Sequence, residues 1–598
     1  MNDSKASQVF LNVERSVSGL RWVSFLNQNG LNRALAISQV HAIPDIVARV
    51  LVGRNVAMDY AKFFLKPTIR LLMPNPATLT DCDKAAHRIV KAIYNSEKIA
   101  VFGDYDVDGA VSVALMMRFF AYFGIDTRMY IPDRISDGYG PTPTLMKKLI
   151  DEGAQFIVTV DCGSTSQEAL KFAVSQGVDT VVIDHHQMKA EEIFAYALVN
   201  PNRLDDISAQ GHLCAAGVVF LVLVSACRIL RQDNKISMKY FDLLSFLDIV
   251  ALATICDAVP LIGLNRAYVT KGLLVARRQC NPGLQALIEL MSVSAPITAD
   301  HLGFMIGPRI NAGGRIGDSD LGSRLLISDD PHEIKTIALK LDLLNKNRQL
   351  MESAMLEQAE AEVLAQYGDA QKASVIVVAG DNWHPGIVGL LASRLREKFD
   401  RPSFAISFDN DGKGIGSGRS IEGFDIGRMV SLAFEKGILL KGGGHAMAAG
   451  LTVERMYFDQ LRIFFEEFAQ KIVPDLVSMP TLKIDGALNA SAVNVELIDI
   501  LESAGPYGSG HPHPVFAFPC HKLRSVRVVG LNHFQMTFES QDSVTLQGIA
   551  FRVKDTPLGK FLMESRGKCV HVVGNLSINY WRGQKRIQLH VLDASPVM

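Results

Sequence analysis

The segment KIAVFGDYDVDG, Lys98–Gly109, joins an apolar, β-prone run to an acidic loop, and the AVSVALMMRFFAYFG run after it has helical spacing. QFIVTVDCGS, Gln155–Ser164, has the same pattern and leads into a second helical run, SQEALKFAVSQG. DTVVIDHHQ, Asp179–Gln187, repeats the apolar run and the acidic break. Strands that alternate with helices predict a parallel sheet with helices on both faces.

The acidic residues of these segments all follow strand ends. Loops at the carboxyl ends of parallel strands lie side by side, so we expect Asp106, Asp161 and Asp184 to converge. Asp108 lies two residues beyond Asp106, and in an extended loop both side chains can point into one cleft. Each aspartate taken alone could instead be a helix cap or a turn residue, and the pair His185–His186 could be structural.

Carboxylates gathered in this way repel one another when ionised, and divalent cations are the usual remedy. Carboxylate-rich ligation with one imidazole suits Mn²⁺ or Mg²⁺ better than Zn²⁺ or copper. Two such ions can act on both the entering and the leaving oxygen of a phosphodiester. The pattern therefore indicates two-metal chemistry on phosphate esters.

The rest of the chain divides by pattern. Residues 332–367 contain no glycine or proline, and a helix of this length, roughly 54 Å, would bridge two lobes. The α/β pattern then restarts with ASVIVVAG, with PGIVGLLASRLREKF as a helix whose Pro385 suits the first turn, and with GGGHAMAAG, Gly442–Gly450, as a glycine-rich loop. From about Thr481, short alternating strands predict a small closed barrel. The predicted domains are 1–50, an N-terminal extension; 51–330, the catalytic lobe; 331–370, the linking helix; 371–475, the second lobe; and 476–598, the barrel.

Composition limits the class of protein. At 598 residues the chain should form several domains, and its 61 basic and 62 acidic residues allow only a local basic patch for a polyanion. The eight cysteines form no CxxC pair, which disfavours a zinc module and favours a reducing compartment. The N-terminus does not resemble a signal peptide, and the uncharged run Leu213–Cys227 is short enough to be a buried helix. We expect a cytoplasmic protein that does not enter a membrane.

Several of these motifs, in this order and spacing, resemble the DHH phosphoesterase superfamily: GDYDVDG, VDCGS, IDHH and ATICDAVPL. GPRINAGGRIGD, WHPGIVGLLASRL, GSGRS, GGGHAMAAG and GPYGSGHPHPVF extend the resemblance to its single-strand-specific 5′→3′ exonucleases, over roughly residues 50–598. The resemblance implies an α/β fold in which a parallel-sheet DHH lobe is joined by a long helix to a second α/β lobe, DHHA1. A C-terminal OB-type β-barrel follows.

The resemblance also implies the roles of the acidic and histidine residues. Asp106 and Asp108 would each hold one metal, Asp161 would bridge the two, and His185 and Asp257 would complete the second site. His186 would act beside the scissile phosphate as hydrogen-bond donor or general acid, oriented by Asp184. Many superfamily members carry histidine where this chain has Phe102, which cannot bind metal. Asp104 could compensate, or the first ion could be held more loosely.

A terminal 5′-phosphate needs a cationic pocket, and arginine forks suit it. The candidates for the phosphate and the strand are Arg134, Arg309, Arg315, His384, Ser417, Arg419, Gly443, Gly444 and His445. Arg309 could instead be a structural ion-pair partner, and His384 a helix-entry residue. The barrel would bind single-stranded DNA through basic and aromatic side chains. Those available are Lys522, Arg524, Arg527, Tyr580, Trp581, Arg582, Lys585 and Arg586.

The implied activity is release of 5′-mononucleotides from single-stranded DNA in repair and recombination, with two divalent cations, Mn²⁺ or Mg²⁺. One alternative is a phosphodiesterase for short oligonucleotides or cyclic dinucleotides, which would usually lack the module after residue 480. Another is a non-catalytic nucleic-acid-binding relative, which the intact acidic set disfavours. The family suggests a monomer that contacts a single-strand-binding protein and a helicase. Residues 1–50 carry no motif that assigns them a role.

Overall fold

A computed structural model describes residues 8–134, 136–188, 192–278, 281–293, 296–368, 373–476, 480–581 and 584–597. By its internal contacts the chain forms two compact units, each built from separate stretches of sequence. Unit 1 consists of Met1–Ser96, Thr180–Met305 and Met479–Met598. Unit 2 consists of Glu97–Asp179 and Ile306–Ser478. Helices and strands are numbered along the whole chain.

The strands and helices of unit 1 come from its three stretches of sequence. They are β1 Arg21–Ser24, α1 Gln28–His41, α2 Asp45–Gly53, α3 Ala61–Leu65, α4 Ile69–Leu72, α5 Cys82–Tyr94, β5 Asp179–Ile183 (apart from its first residue), β6 Ala197–Val199, α9 Ala215–Asp233, α10 Leu247–Cys256, α11 Gly263–Ala276, α12 Pro282–Leu290, β12 Thr481–Ile484, β13 Gly486–Ala487, α20 Val495–Glu502, β14 Phe516–Val529, β15 His533–Glu539, β16 Thr545–Ala550, α21 Pro557–Glu564, β17 Cys569–Trp581 and β18 Gln584–Pro596.

The strands and helices of unit 2 form two α/β parts with a long helix between them in sequence. They are β2 Ile99–Gly103, α6 Val107–Tyr122, β3 Thr127–Tyr130, α7 Pro143–Asp151, β4 Phe156–Val160, α8 Gln167–Ser175, α13 Gly307–Ile316, α14 Leu321–Ile327, α15 Pro331–Tyr367, β7 Ile376–Asp381, α16 Val388–Phe399, β8 Ser403–Phe408, β9 Lys413–Arg419, α17 Ile426–Glu435, β10 Lys441–His445, β11 Ala448–Glu454, α18 Phe458–Ala469 and α19 Val473–Leu476.

Parallel strands carry the acidic loops, as predicted. In unit 2, β2 pairs in parallel with β3 on one side and with β4 on the other. In unit 1, β5 pairs in parallel with β6. Every residue of β2 and β4 is buried, which explains why these strands are continuous apolar runs rather than alternating ones. The acidic residues follow at the carboxyl ends of β2, β4 and β5.

The linking helix α15 is one uninterrupted helix of 37 residues, close to the length that the sequence predicted. Near its start, Leu341 packs beside Gly313 of α13. Near its end, Met355, Ala359 and Val363 share a core with the second lobe. The helix therefore belongs to the packing of both α/β parts of unit 2.

The second lobe corrects two predictions. The GGGHAMAAG segment is an antiparallel hairpin of β10 and β11 rather than a loop, and Gly443 pairs with Gly450. Helix α16 begins at Val388, so Pro385 precedes it instead of occupying its first turn. Glycine has a low strand propensity, so the local sequence favoured a loop. It still forms regular strands where neighbouring strands supply the hydrogen bonds.

The C-terminal module of unit 1 is the closed barrel that the sequence predicted. Its pairing order is β14, β15, β16, β18 and β17, and β14 also pairs with β17, which closes the barrel. Alternate residues of β15 point inward, among them Phe534, Met536 and Phe538. Helices α20 and α21 accompany the strands.

The N-terminal extension, to which the sequence assigned no role, packs against this barrel. Its strand β1 pairs in parallel with β12, from Arg21 opposite Thr481 to Ser24 opposite Ile484. The fully buried Trp22 shares a core with Val573, and its Nε1 donates a 2.9 Å hydrogen bond to Oδ2 of Asp593. Strand β1 and its Trp22 side chain therefore complete the packing of the C-terminal domain.

Among the described residues, one helix, α9, is long and apolar enough to cross a membrane by length and composition. It overlaps the uncharged segment that the sequence interpreted as a buried helix, and 78% of its apolar window is buried inside the protein. Burial of this kind is typical of a core helix.

Candidate active site

Three of the predicted metal ligands meet in unit 2. Oxygen atoms of Asp104, Asp106 and Asp161 all lie within 4.8 Å of one another. Asp104 and Asp161 are buried, and Asp106 is partly buried. Asp108 is also buried, in the first turn of α6. Residues that follow the adjacent strands β2 and β4 therefore converge as the sequence predicted.

Helix α6 explains how the β2 loop holds its shape. Asp106 is the N-cap of this helix, and its Oδ1 accepts a 3.0 Å hydrogen bond from the backbone N–H of Gly109. A Cβ at Gly109 would lie 2.4 Å from the carbonyl oxygen of Asp104, so only glycine permits this tight turn. The DxDG spacing thus serves helix capping and brings both carboxylates to the same loop.

Asp161 has a left-handed backbone conformation, which aspartate adopts more readily than most residues. Its φ is +59°, in the left-handed region, and its carbonyl oxygen accepts a 3.3 Å hydrogen bond from the hydroxyl of Tyr139. This conformation turns the backbone directly after β4, where Asp161 joins the carboxylate cluster. Tyr139 was not among the predicted site residues.

The chemistry of this cluster fits divalent cations. Buried carboxylates at this spacing repel one another, and hard oxygen ligands are those that Mg²⁺ and Mn²⁺ prefer. Phe102 is fully buried and stacks on Tyr130 with the ring centroids 5.5 Å apart. It supplies no ligand, whereas Asp104 lies inside the carboxylate cluster, where the sequence suggested that it could compensate.

In unit 1 the two histidines after β5 are held by named partners. Asp184 is buried, and its Oδ1 accepts hydrogen bonds from the backbone N–H groups of His185 (2.8 Å) and His186 (3.2 Å). The same oxygen lies 2.8 Å from Nδ1 of His186. His185 has its Nδ1 3.8 Å from Oδ2 of Asp257, which follows α10. Unit 1 therefore brings Asp257 to His185 although the two are far apart in sequence.

Two asparagines that the sequence analysis missed hold the backbone of this histidine pair. The side-chain amide of Asn200 donates to the carbonyl oxygen of His186 at 2.9 Å, and that of Asn202 donates to the carbonyl oxygen of His185 at 2.5 Å. Both follow β6 in the string VNPN. Polar residues after a further buried strand were the signal that could have identified them.

Unit 2 also gathers cationic side chains. Arg315 is partly buried, and burial together with the positive charges of Arg134, Arg348 and Arg419 lowers its pKa to about 10, although Asp106 opposes this shift. Burial and the charge of Arg134 also lower the pKa values of Arg419 and of His384. Like charges held this close are costly unless an anion accompanies them.

The contacts of these side chains set their geometry. Arg419 donates to the hydroxyl of Ser417 at 2.9 Å, and Arg315 donates to the carbonyl oxygen of Gly386 at 3.2 Å. Nδ1 of His384 accepts from the backbone N–H of Gly386 at 3.1 Å. The charges of Arg134, Arg348 and Arg419 all act on Arg315, and these four side chains are called the arginine cluster below; Arg134, Arg315 and Arg419 were predicted from the sequence, and Arg348 was not.

The contacts of Arg348 and Arg309 bear on the proposed phosphate pocket. Arg348 lies on α15, where no motif marks it, and its guanidinium donates to Oδ1 of Asn345. Arg309 forms a 2.9 Å ion pair with Asp342, so these contacts favour the structural role that the sequence left open. A pocket outside the arginine cluster, about 340 Å³, is lined by Tyr130, Asp133 and Gly317–Asp320.

The glycine hairpin of β10 and β11 lies next to Ser417. Ser417 pairs with Gly450, and Gly450 pairs with Gly443, so these residues form a row across β9, β11 and β10. Gly443 and Gly450 are exposed, and a Cβ added to either would meet no atom within 4 Å, whereas a Cβ at Gly444 would meet Ala448. His445 is exposed at the end of β10. This row offers a surface of bare backbone beside Ser417.

The basic side chains proposed for the barrel are exposed where they are described. Those are Lys522, Arg524, Arg527, Lys585 and Arg586. Arg524 pairs with Glu539 at 2.9 Å, and Arg527 donates to Gln535. The side chains of Tyr580, Trp581 and Arg582 lie outside the described residues.

Comparisons with known proteins agree with this architecture. Family models for the DHH family N-terminal domain, the DHHA1 domain and the RecJ OB domain match residues 98–253, 372–472 and 484–593. The single-stranded-DNA-specific exonuclease RecJ of Escherichia coli is 33% identical over 571 residues, which cover 93% of this chain and 96% of that protein. The Salmonella typhimurium protein of the same description is 32% identical over 569 residues, with 93% and 96% covered.

Solved structures are similar over most of the chain. RecJ from Thermus thermophilus in complex with Mn²⁺ has a TM-score of 0.77 at 27% identity and covers 96% of this chain and 78% of its own. An exonuclease RecJ bound to manganese has a TM-score of 0.58 at 31% identity, with 68% and 98% covered. Fold, site and matches define a phosphoesterase of the DHH–DHHA1 class. Within this class, the chain belongs to the RecJ family of single-stranded-DNA-specific exonucleases.

Proposed function

We propose that this protein removes nucleotides from the 5′ end of single-stranded DNA and releases 5′-mononucleotides, using two divalent cations, Mn²⁺ or Mg²⁺. The observation that carries the proposal is that two clusters of opposite charge, the carboxylate cluster and the arginine cluster, lie next to each other within unit 2. The carboxylate cluster includes Asp106, whose neighbour Tyr105 is in contact with Gly314: a Cβ at Gly314 would lie 2.5 Å from the carbonyl oxygen of Tyr105. Gly314 directly precedes Arg315 of the arginine cluster. An enzyme that cuts next to a strand end needs both: cations for the scissile phosphate and arginines for the terminal phosphate.

The roles of the metal ligands are proposed from the family resemblance. Asp106 and Asp108 would each hold one ion, Asp161 would bridge them, and His185 and Asp257 would complete the second site, with Asp104 in support of the first. The bound cations would supply Lewis-acid activation of water and would neutralise charge that develops on the phosphate. The burial of Asp104, Asp108 and Asp161 would limit competition from solvent for these ions.

His186 would donate a proton or a hydrogen bond beside the scissile phosphate. Its Nδ1 is engaged by Asp184, so Nε2 is the nitrogen that can face the substrate. Asp184 would fix the ring orientation and stabilise the protonated imidazole. Asn200 and Asn202 would fix the backbone of the two histidines, because their side-chain amides donate hydrogen bonds to the histidine carbonyl oxygens.

The arginine cluster would bind the 5′-terminal phosphate and so set the polarity of digestion. Arg134, Arg315 and Arg419 can form forked hydrogen bonds to its oxygens, with Ser417 and His384 as further partners. The strand would then pass over the bare backbone of Gly443, Gly444 and Gly450 beside His445. Further single-stranded DNA would bind the OB barrel, as its basic side chains suggest.

The finer cellular assignments rest on family resemblance. The protein would act as a monomer in the cytoplasm, in DNA repair and recombination. A single-strand-binding protein and a helicase are the partners that would supply its substrate. A sedimentation measurement and pull-down with purified candidates would test these assignments.

The decisive experiment is digestion of long single and double strands, labelled at the 5′ or the 3′ end, with and without Mn²⁺. We expect Mn²⁺-dependent release of labelled mononucleotide from the 5′ end of single strands. Asp161→Ala should reduce this release to below a few per cent, whereas Asp411→Ala, in an exposed turn, should leave it unchanged. Release from the 3′ end, or substantial activity in Asp161→Ala, would contradict the proposal.

The alternative substrate class is a short oligonucleotide or a cyclic dinucleotide. The OB barrel argues against it, since enzymes of that kind would usually lack such a module. Competition between a dinucleotide and a long 5′-phosphorylated strand distinguishes the two, and preference for the dinucleotide would favour the alternative.

A further inference from the structure

Helix α13 packs directly against the loop that carries the carboxylate cluster. The side-chain oxygen Oδ1 of Asn311 accepts a 3.1 Å hydrogen bond from the backbone N–H of Val107. Val107 is the first residue of α6 and lies between Asp106 and Asp108. The first N–H groups of a helix have no partner within the helix, and the Asp106 cap is directed to Gly109 instead. Asn311 therefore satisfies the N–H that separates the two proposed ligands.

A second contact fixes the distance between α13 and this loop. A Cβ at Gly314 would lie 2.5 Å from the carbonyl oxygen of Tyr105 and 3.0 Å from its Cβ. The backbone of α13 thus touches the backbone of the metal-binding loop, with no side chain between them. Tyr105 itself lies next to Asp106, and the guanidinium of Arg134 lies 5.2 Å from the centre of its ring.

The other faces of α13 are anchored to different parts of unit 2. Arg309 pairs with Asp342 of α15 at 2.9 Å, and a Cβ at Gly313 would lie 3.3 Å from Leu341 of the same helix. At its end, Arg315 donates to the carbonyl oxygen of Gly386, and a Cβ at Gly386 would lie 2.2 Å from the carbonyl oxygen of Arg315. One short helix therefore bears both an arginine of the cluster and a hydrogen bond to the metal-binding loop.

We propose that Asn311 is a positioning residue that fixes the spacing between the carboxylate cluster and the arginine cluster, and thereby restricts cleavage to the first phosphodiester of the strand. This inference rests on the proposed exonuclease function and adds to it the device that determines product length. The terminal phosphate is held by one end of α13, and the loop that acts on the scissile phosphate is held by its middle. If the link through Asn311 is lost, the loop can shift relative to a terminal phosphate that stays bound.

The test compares three variants at position 311. Asn311→Ala removes the acceptor. Asn311→Gln keeps an acceptor on a side chain that is longer by one methylene, and Asn311→Asp keeps it at the original length. The matched control is Asn410→Ala, at an exposed residue of the turn before β9. Steady-state kinetics, the melting temperature and the lengths of the released products are measured with a long 5′-phosphorylated single strand and Mn²⁺.

We expect Asn311→Ala and Asn311→Gln to lower kcat by about 100-fold, the effect typical of a 1 Å misplacement, with KM within about threefold of the wild type. Dinucleotides should appear among their products. Asn311→Asp should keep kcat within about threefold and should release only mononucleotides. The control should match the wild type in every measurement.

Asn311→Gln with wild-type products and kcat would overturn the inference, as would Asn311→Asp with losses equal to those of Asn311→Ala. A lower melting temperature with mononucleotides as sole product would assign Asn311 a merely structural role and would also overturn it. If the wild type itself releases no mononucleotides, the exonuclease proposal fails first, so the two failures are distinguishable.

Discussion

Oδ1 of Asp184 lies 2.8 Å from Nδ1 of His186 and also accepts hydrogen bonds from the backbone N–H groups of His185 and His186. One buried oxygen therefore controls both the ring orientation of His186 and the turn that presents His185. This arrangement gives the two histidines different surroundings, because His186 is fixed by Asp184 whereas His185 lies next to Asp257. It also makes Asp184 sensitive to substitution even though no substrate contact is assigned to it.

Substitution of Asp184 should lower turnover more than it lowers substrate binding. We expect Asp184→Asn to reduce kcat by about 10- to 100-fold, because carboxylates that orient a catalytic or metal-binding histidine contribute that much. Asp184→Ala should be worse, since it also removes the acceptor for two backbone N–H groups. Kinetics on a 5′-phosphorylated single strand, with exposed Asp542→Asn as control, checks this. An Asp184→Asn variant with a higher KM and an unchanged kcat would contradict this prediction.

Asp104 should contribute to metal affinity because Phe102 cannot. Asp104→Asn should raise the Mn²⁺ concentration for half-maximal activity by at least about tenfold, since it removes one charged oxygen from the carboxylate cluster. Asp126→Asn, at an exposed residue in the same unit, is the control. An unchanged Mn²⁺ titration would show that the first ion does not use Asp104.

Arg315 should make the protein respond to phosphate. Burial first, then the neighbouring arginines, lower its folded-state pKa to about 10, so its charge costs stability at neutral pH, and this cost is relieved only gradually as the pH rises from about 10 toward the ordinary pKa of arginine. A bound anion should relieve the cost at neutral pH. We expect inorganic phosphate to raise the melting temperature of the wild type but not of Arg315→Met. An equal phosphate effect in both proteins would place the anion elsewhere.

Acid should destabilise the protein partly through His511. This residue is buried between the rings of Phe64 and Tyr507, and burial followed by the charge of Arg266 lowers its pKa to about 3. Below pH 6.5, His511 is protonated in the unfolded chain but stays neutral in the folded chain. The free energy of unfolding therefore falls by about 1.4 kcal/mol per pH unit as the pH falls toward 3. The melting temperature of His511→Gln should therefore decrease less steeply between pH 6.5 and 5 than that of the wild type. Parallel decreases would refute this.

The sequence predicted those parts of the site that depend on local pattern. Asp106 and Asp161 could be placed together because each follows a buried apolar strand, and parallel strands align their carboxyl ends. Ser417 and Arg419 could be selected from the sequence because they belong to the GSGRS motif. The barrel was predicted because alternation with period two continues over several short segments.

Other residues could not be predicted because their roles depend on contacts that no local pattern encodes. Arg348 lies on a helix without a motif and joins the arginine cluster only through folding. Asn311 belongs to a quoted motif, but its hydrogen bond to Val107 spans 204 positions. The glycine hairpin was taken for a loop because glycine propensity outweighs the strand pairing that only tertiary structure supplies.

The hydrogen bond between Trp22 and Asp593 closes a span of 571 positions. During synthesis, β1 leaves the ribosome long before its partner strand β12, and the indole of Trp22 has no Asp593 acceptor until almost the whole chain has been made. Deletions that remove Trp22 or Asp593 should therefore both lower the stability of the OB barrel. A tag or fusion joined near the N-terminus would act on the OB barrel, far along the chain from the point of attachment.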